Sequence, residues 1–274
     1  MDHDVSLVAG PSSDPSGQVE PYLPADIRSL YEAYSYRHAA AILATSFPSE
    51  FAELMDALRK LRITTVDIGM PGGNESGIPK KYSAMLRPMG WEEARIRGDL
   101  NVHMQSAHGV ARELPGFIDG HKIDYVKGRV ALDLEWNSKD QTFDRDLYAM
   151  RTFHECGLIS VGVLVTRSLS MNPVFEVVPR LDKTGARDPS GETVKSKYGS
   201  STTWMGKLLY RLNAGRHGGC PILALGMTPG VISDQAELLA MGFQPRSTSD
   251  IGARAKKDPG KDSGANFWRV GKVG

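Results

Sequence analysis

Apolar residues recur along this chain at two spacings, and the alternation between them predicts its elements. In "SEFAELMDALRKL", Phe51, Leu54, Leu58 and Leu61 repeat at helical spacing, with Ser49 placed to cap. "RITTVDIGMPGG" then reads as a β-branched extended run that gives way to a glycine turn. After a polar loop, "MGWEEARIRGDLNVHM" predicts a helix or turn running into a strand. Two short extended runs follow, "KIDYVK" and "VALDLEW", separated by "KGR" with Gly128 at the bend, the pattern of a hairpin.

Strict alternation in the second run sets Val130, Leu132, Leu134 and Trp136 on one face and Ala131, Asp133, Glu135 and Asn137 on the other. "TFDRDLYAMRTFHECG" returns to helical spacing, with Thr142 as cap, Phe143, Leu147, Met150 and Phe153 on one face, and Gly157 as the stop. "LISVGVLVTRS" is a near-continuous apolar run, as in a strand buried on both faces. A helix in "STTWMGKLLYRLNAG", a buried strand in "CPILALGM" and a helix in "SDQAELLAMG" complete the series. Strand, helix and buried strand in succession predict a βαβ crossover and an α/β fold with a central sheet flanked by helices.

Composition narrows the class. A chain of 274 residues with 41% hydrophobic content is long enough to bury a proper core. Residues 1–20 are rich in Ser, Pro, Gly and Asp and read as a loose leader, 21–245 as the folded domain, and 246–274 as a polar tail. The N-terminus lacks the basic start and apolar core of a signal peptide, and no apolar run approaches the roughly 20 residues of a membrane helix. Cys156 and Cys220 make no disulfide framework, so the expected setting is soluble and cytoplasmic; Cys156, on an apolar run, is expected to be buried. A formal net charge of +1 gives no global bias toward nucleic acid. "GGNESGIPK" lacks the spacing of a phosphate loop and reads as an ordinary loop, and His103, His108, His121 and His154 show no zinc spacing.

The chemistry concentrates in the hairpin at residues 121–138, where Asp124 on the first strand stands to meet Asp133 and Glu135 on the second. Like charges on one strand face repel, and water or a bound cation relieves them. One reading is the solvated face of a half-buried strand. The other is a hard-oxygen site suited to Mg2+, which takes a few carboxylates together with waters and phosphate oxygens.

The pattern of "ID", an acid nine residues on, and then "EW" resembles the active-site hairpin of the PD-(D/E)xK nuclease superfamily. More narrowly, it resembles the type II restriction endonucleases related to BglII and BstYI. The similarity extends through "FDRDLYAMRTFHECGLISVGVLVTRS" and back to "GWEEARI", over about residues 85–235. The fold it implies is the restriction-endonuclease core, a mixed sheet between helices. Asp124 then matches the first metal-binding aspartate and Asp133 the second acid, while Glu135 stands where most of the superfamily carries lysine. The Leu134 carbonyl would also face the metal, and Glu93, or less well Glu92, takes the place of an upstream helix acid.

The resemblance implies Mg2+-dependent, with Mn2+ as possible substitute, sequence-specific hydrolysis of double-stranded DNA to 5′-phosphate ends. It also implies a short palindromic site, a homodimer, and a cognate methyltransferase in a restriction-modification system. Asn137, Ser138 and Lys139 follow the catalytic strand and are placed to read the major groove. In "KSKYGSSTTWMGK", from Lys195 through Tyr198 to Lys207, the lysines can hold phosphates while Ser200, Ser201, Thr202 and Thr203 reach bases. Alternatives with the same core are a repair-type nuclease and a non-catalytic DNA-binding protein.

Overall fold

The computed structural model describes residues 19–72, 77–199 and 201–244. All but the last two residues of the expected leader, the whole of the expected tail, and Ser200 lie outside these described residues. Helix α1 (Ala25–Leu30) runs into β1 (Tyr31–Tyr36), followed by α2 (Ala39–Ser46), α3 (Pro48–Lys60), α4 (Thr65–Gly69) and α5 (Gly77–Leu86). Next come β2 (Glu92–Ser106), β3 (Gly109–Lys127), β4 (Val130–Leu134), α6 (Thr142–Glu155) and β5 (Val161–Arg167). The chain continues through α7 (Asn172–Val177), α8 (Val194–Lys197), α9 (Met205–Asn213), β6 (Ile222–Met227) and α10 (Gln235–Ala240).

One six-stranded mixed sheet has the order β1-β6-β5-β4-β3-β2. Strands β4, β5 and β6 are parallel neighbours, and β3 and β1 join them antiparallel. Helix α6 is thus the crossover of a β4-α6-β5 unit, as the apolar patterning predicts. All seven residues of β5 and all six of β6 are buried, because helices cover both faces of the central strands. Val130, Leu132, Leu134 and Trp136 point into the larger core, which holds Leu43, Leu54, Leu58, Tyr82 and Trp91. Ala131 points the other way, into a second core with Phe143, Leu147 and Met150 of α6 and Leu208 and Leu212 of α9. Asp133 and Glu135 share the face of Ala131, so the carboxylates lie under α6.

Local expectations fail where a short polar signal was outweighed. Helix α3 begins at Pro48, with Phe47 and not Ser49 at the cap position, since Pro fits the first helical turn. Gln141 precedes α6 and makes no side-chain cap, so Thr142 is its first residue. The run after Arg62 is a helix and not a strand: Thr64 accepts from the Asp67 N–H and Asp67 accepts from the Thr64 N–H, a capping box that starts α4. Gly77–Leu86 is helical, which takes Lys80 out of the expected loop. The expected helix or turn ahead of "WEEARI" is a short 3-10 turn over Arg87–Met89 that closes at Gly90 and runs into β2. Cys156 is exposed, because the apolar stripe of α6 ends at Phe153.

Beyond the sheet, β2 and β3 continue as a two-stranded arm that pairs from Gly98 opposite Ile118 to Ser106 opposite Gly109. One face of the arm carries Leu100, Val102, Met104 and Leu114, each about half exposed. The register puts Asp99, Asn101, His103 and Glu113 on the opposite face.

Candidate active site

The turn at Gly128, with φ of +54°, folds β4 back on β3 and pairs Tyr125 with Leu132. Beyond that pair the ladder gives way to a side-chain bond: the Asp124 N–H donates to Asp133 Oδ1 at 2.7 Å. The hairpin therefore holds the two aspartates together by a backbone-to-carboxylate contact. Asp124 is exposed, whereas Asp133 and Glu135 are buried at 3% and 6% exposure, so the cluster runs from solvent inward. The backbone of Glu135 is pinned from both sides. Its N–H donates to the Val165 carbonyl at 2.8 Å, and its carbonyl accepts from the Thr166 hydroxyl at 3.0 Å and the Thr203 hydroxyl at 3.5 Å.

Helix α6 brings a further acid and a cation that the hairpin pattern did not predict. Asp146 is 1% exposed and sits within the inner stripe of the helix, between Phe143 and Leu147. Arg145 donates to Asp146 Oδ1 through Nε at 3.2 Å and Nη2 at 3.0 Å, and its Nη2 lies 3.5 Å from Glu135 Oε1. The signal available in the sequence was an aspartate three residues after Phe143, inside an apolar stripe, where a charge needs a partner.

Burial pushes the Asp133 carboxyl well above the usual carboxylate range, and the charges of Asp124 and Glu135 add to it. Glu135 is raised for the same first reason, against bonds from Ser138 and the charge of Arg145 that favour its ionised form. Asp146 is raised well above its ordinary value by burial and by the charges of Asp133 and Glu135. Oδ2 of Asp133 and Oδ2 of Asp146 are buried without a hydrogen-bond partner. Buried carboxylate oxygens left in that state suit a cation. Among the described residues, no group of three or more His, Cys, Asp or Glu stands ready to cage a metal ion. The donor set fits a hard divalent ion held through one or two carboxylates and completed by other oxygens, the mode Mg2+ favours over a closed protein cage.

Glu93 lies on β2, not on a helix. The register moves from Glu92 opposite Val126 to Ala94 opposite Ile123, so Glu93 occupies a bulge across from Asp124 and Tyr125. Its carboxylate pairs with Lys122 at 2.5 Å. Glu92 starts the strand and is exposed.

The candidate DNA-reading residues divide. Asn137 turns the chain out of β4 with φ of +58°, a conformation asparagine tolerates, and its Oδ1 is buried without a partner. The Ser138 carbonyl accepts from the Thr203 N–H, and Lys139 is exposed and bridges Thr202. Thr202 and Thr203 are buried, with hydroxyls bonded to backbone carbonyls: Thr202 to Tyr198 and Gly199, Thr203 to Glu135. They anchor the loop and present nothing to a base. Ser201 is exposed. Position 198 is itself a tyrosine, whose ring lies beneath the Lys197 ammonium at 5.2 Å; Lys195 and Lys197 are both exposed, and Lys195 is paired with Glu176 at 2.8 Å.

Arg211 and Arg216 both bind Asp144 and so tie α9 and the segment after it to α6, whereas buried His217 bonds the Cys220 carbonyl within the connection to β6. Arg167, fully buried at the end of β5, donates to Asn172 and Thr202 and stacks on Phe175; burial pushes it down to about 9, which leaves it a cation at neutral pH.

A family model described as Restriction endonuclease BglII/BglIII matches residues 31–227, which run from the start of β1 to the end of β6 and include the whole acidic cluster. No curated protein matches the chain.

Proposed function

We infer the workings of the site from one premise: the chain belongs to the BglII/BglIII family of restriction endonucleases and is a type II site-specific deoxyribonuclease. Enzymes of this family generally use a divalent metal ion. We propose that the ion here is Mg2+, with Mn2+ able to replace it, held by Asp124, Asp133 and the carbonyl of Leu134. The observation that carries this reading is the convergence of Asp124, Asp133 and Glu135 at one hairpin, with Asp133 Oδ2 buried and unpaired. When bound, the ion supplies charge stabilisation on the scissile phosphate and acidifies water.

The chain's own groups do the rest. Glu135 orients the attacking water and accepts its proton, a task that a carboxyl raised by burial performs better than an ordinary one. Water oxygen bonds to phosphorus, the bond to the 3′ oxygen breaks, and that oxygen takes up a proton, leaving 5′-phosphate and 3′-hydroxyl ends. Glu93, across the bulge from Asp124, completes the site from β2. Asn137, Ser138 and Lys139, at the mouth of the site, read bases together with Ser201, while Lys197 holds the DNA backbone.

The enzyme acts as a homodimer on a short palindrome, each subunit cutting one strand. The half-exposed apolar face of the β2-β3 arm supports a second copy as its cover. A methyltransferase that protects the same site is its partner, and the cytoplasm is its compartment; no helix among the described residues is long and apolar enough to cross a membrane.

The test is substitution of Asp124→Asn and Asp133→Asn in separate variants. Cleavage should fall at least about 100-fold in each, while cognate DNA binding survives. Retained cleavage in both variants would move the chemistry elsewhere.

A further inference from the structure

We propose that Arg145 is a phosphate-binding residue of the cleavage site and supplies the fixed positive charge that Glu135 does not. The proposal rests on the reading of Asp124, Asp133 and Glu135 as the site of cleavage. Three acids are buried where α6 lies on β4, Asp133, Glu135 and Asp146, near enough that the charges of the first two act on the third, and Asp124 is exposed beside them. A phosphodiester carries a negative charge of its own, and such a cluster repels it unless cations stand nearby.

Arg145 is the side chain that brings a cation to these acids, 3.0 Å from Asp146 and 3.5 Å from Glu135. Its own placement is two-sided. Nε and Nη2 turn inward to the carboxylates, yet 49% of the side chain remains in solvent. Lys207 and Arg211, by contrast, are tied to Asp140 and Asp144 and are largely covered, at 17% and 10% exposure. A guanidinium has five N–H donors in a planar fork that matches phosphate oxygens, so it can keep its inner partners and still present donors outward. Asp146 thereby acts as the positioning residue, since the buried carboxylate fixes the fork at the mouth of the cluster.

The test separates a phosphate contact from a structural one. Affinity for a duplex carrying the mapped site and for an unrelated duplex is measured in EDTA over a range of salt concentrations. The proteins compared are the full chain, Arg145→Gln and Arg145→Lys. For Arg145→Gln, affinity should fall about 10-fold or more on both duplexes. The slope of log affinity against log salt should become shallower by about 0.9 per bound subunit, the signature of one lost phosphate contact. Arg145→Lys should keep the slope and lose part of the cleavage rate, because lysine keeps the charge without the fork.

Should Arg145→Gln fail to fold, the double variant Arg145→Gln/Asp146→Asn removes the cation together with the acid it serves, and the same slope is read. An unchanged slope in a folded variant lacking Arg145 overturns the proposal. Asp133→Asn keeps the two failures apart: loss of cleavage there with an unchanged Arg145→Gln slope rejects Arg145 alone, whereas full cleavage there rejects the site.

Discussion

At the scale of single residues, the proposed active site is a place where the fold accepts unfavourable electrostatics. Asp133 illustrates it. Burial and the charges of Asp124 and Glu135 raise its carboxyl well above the ordinary range. The folded protein therefore holds a proton that the unfolded chain has already released once the pH passes about 4. Stability of the metal-free protein from this group is thus highest at acidic pH, falls as pH rises toward the raised value, and stays low above it. Asp133→Asn keeps an oxygen for the Asp124 N–H and removes the charge. In EDTA it should melt above the wild type at pH 8, by about 2–4 °C for each kcal/mol relieved, with the gap narrowing toward pH 5. Thermal melts at the two pH values check this, and a variant less stable than wild type at pH 8 would contradict it. The same residue would then limit stability and enable cleavage.

At the scale of elements, the site depends on how closely α6 lies on the sheet. Gly162 of β5 makes that approach possible: a Cβ there would stand 2.6 Å from Met150 Sδ and 2.8 Å from Ile222 Cδ1. Gly162→Val should cost about 1–3 kcal/mol by overpacking and lift α6, with Arg145 and Asp146, away from Glu135. Chemical denaturation and cleavage rate should both register the change; unaltered cleavage would show that α6 does not position the chemistry.

The elements that build this unit were legible in the sequence because each carries one dominant pattern. Alternation in "VALDLEW" identifies both faces of β4, helical spacing with Gly157 identifies α6, and unbroken apolar runs identify β5 and β6. The short elements were not. "TTVD" has β-branched residues that suggest a strand, yet the reciprocal Thr64 and Asp67 bonds start a helix. "YEAYSY" forms edge strand β1 only because β6 is there to pair with it, a long-range fact that no local spacing carries. Within the candidate site, Asp124, Asp133 and Glu135 could be picked out by strand geometry, whereas Asp146 and Arg145 reach them only through the crossover of α6. Thr202 and Thr203 mislead for the converse reason: hydroxyls in a polar stretch suggest contacts outward, and tertiary packing turned them inward.

At the scale of the whole molecule, the architecture divides labour between two faces of one sheet. The larger core on the side of α1 to α5 holds the sheet rigid, while the α6 and α9 side carries the acids. On that second side, we propose, Asp124, Asp133 and Glu135 are the residues with which this restriction endonuclease cleaves DNA. The most direct measurement incubates wild type and Asp133→Asn with unmethylated phage DNA in Mg2+, with an EDTA control, and sequences every end produced. Discrete wild-type fragments with 5′-phosphate ends at one short palindrome are expected, and none with EDTA or with Asp133→Asn. Cleavage by Asp133→Asn at the wild-type rate, or intact DNA with the wild type across several genomes, would contradict that proposal.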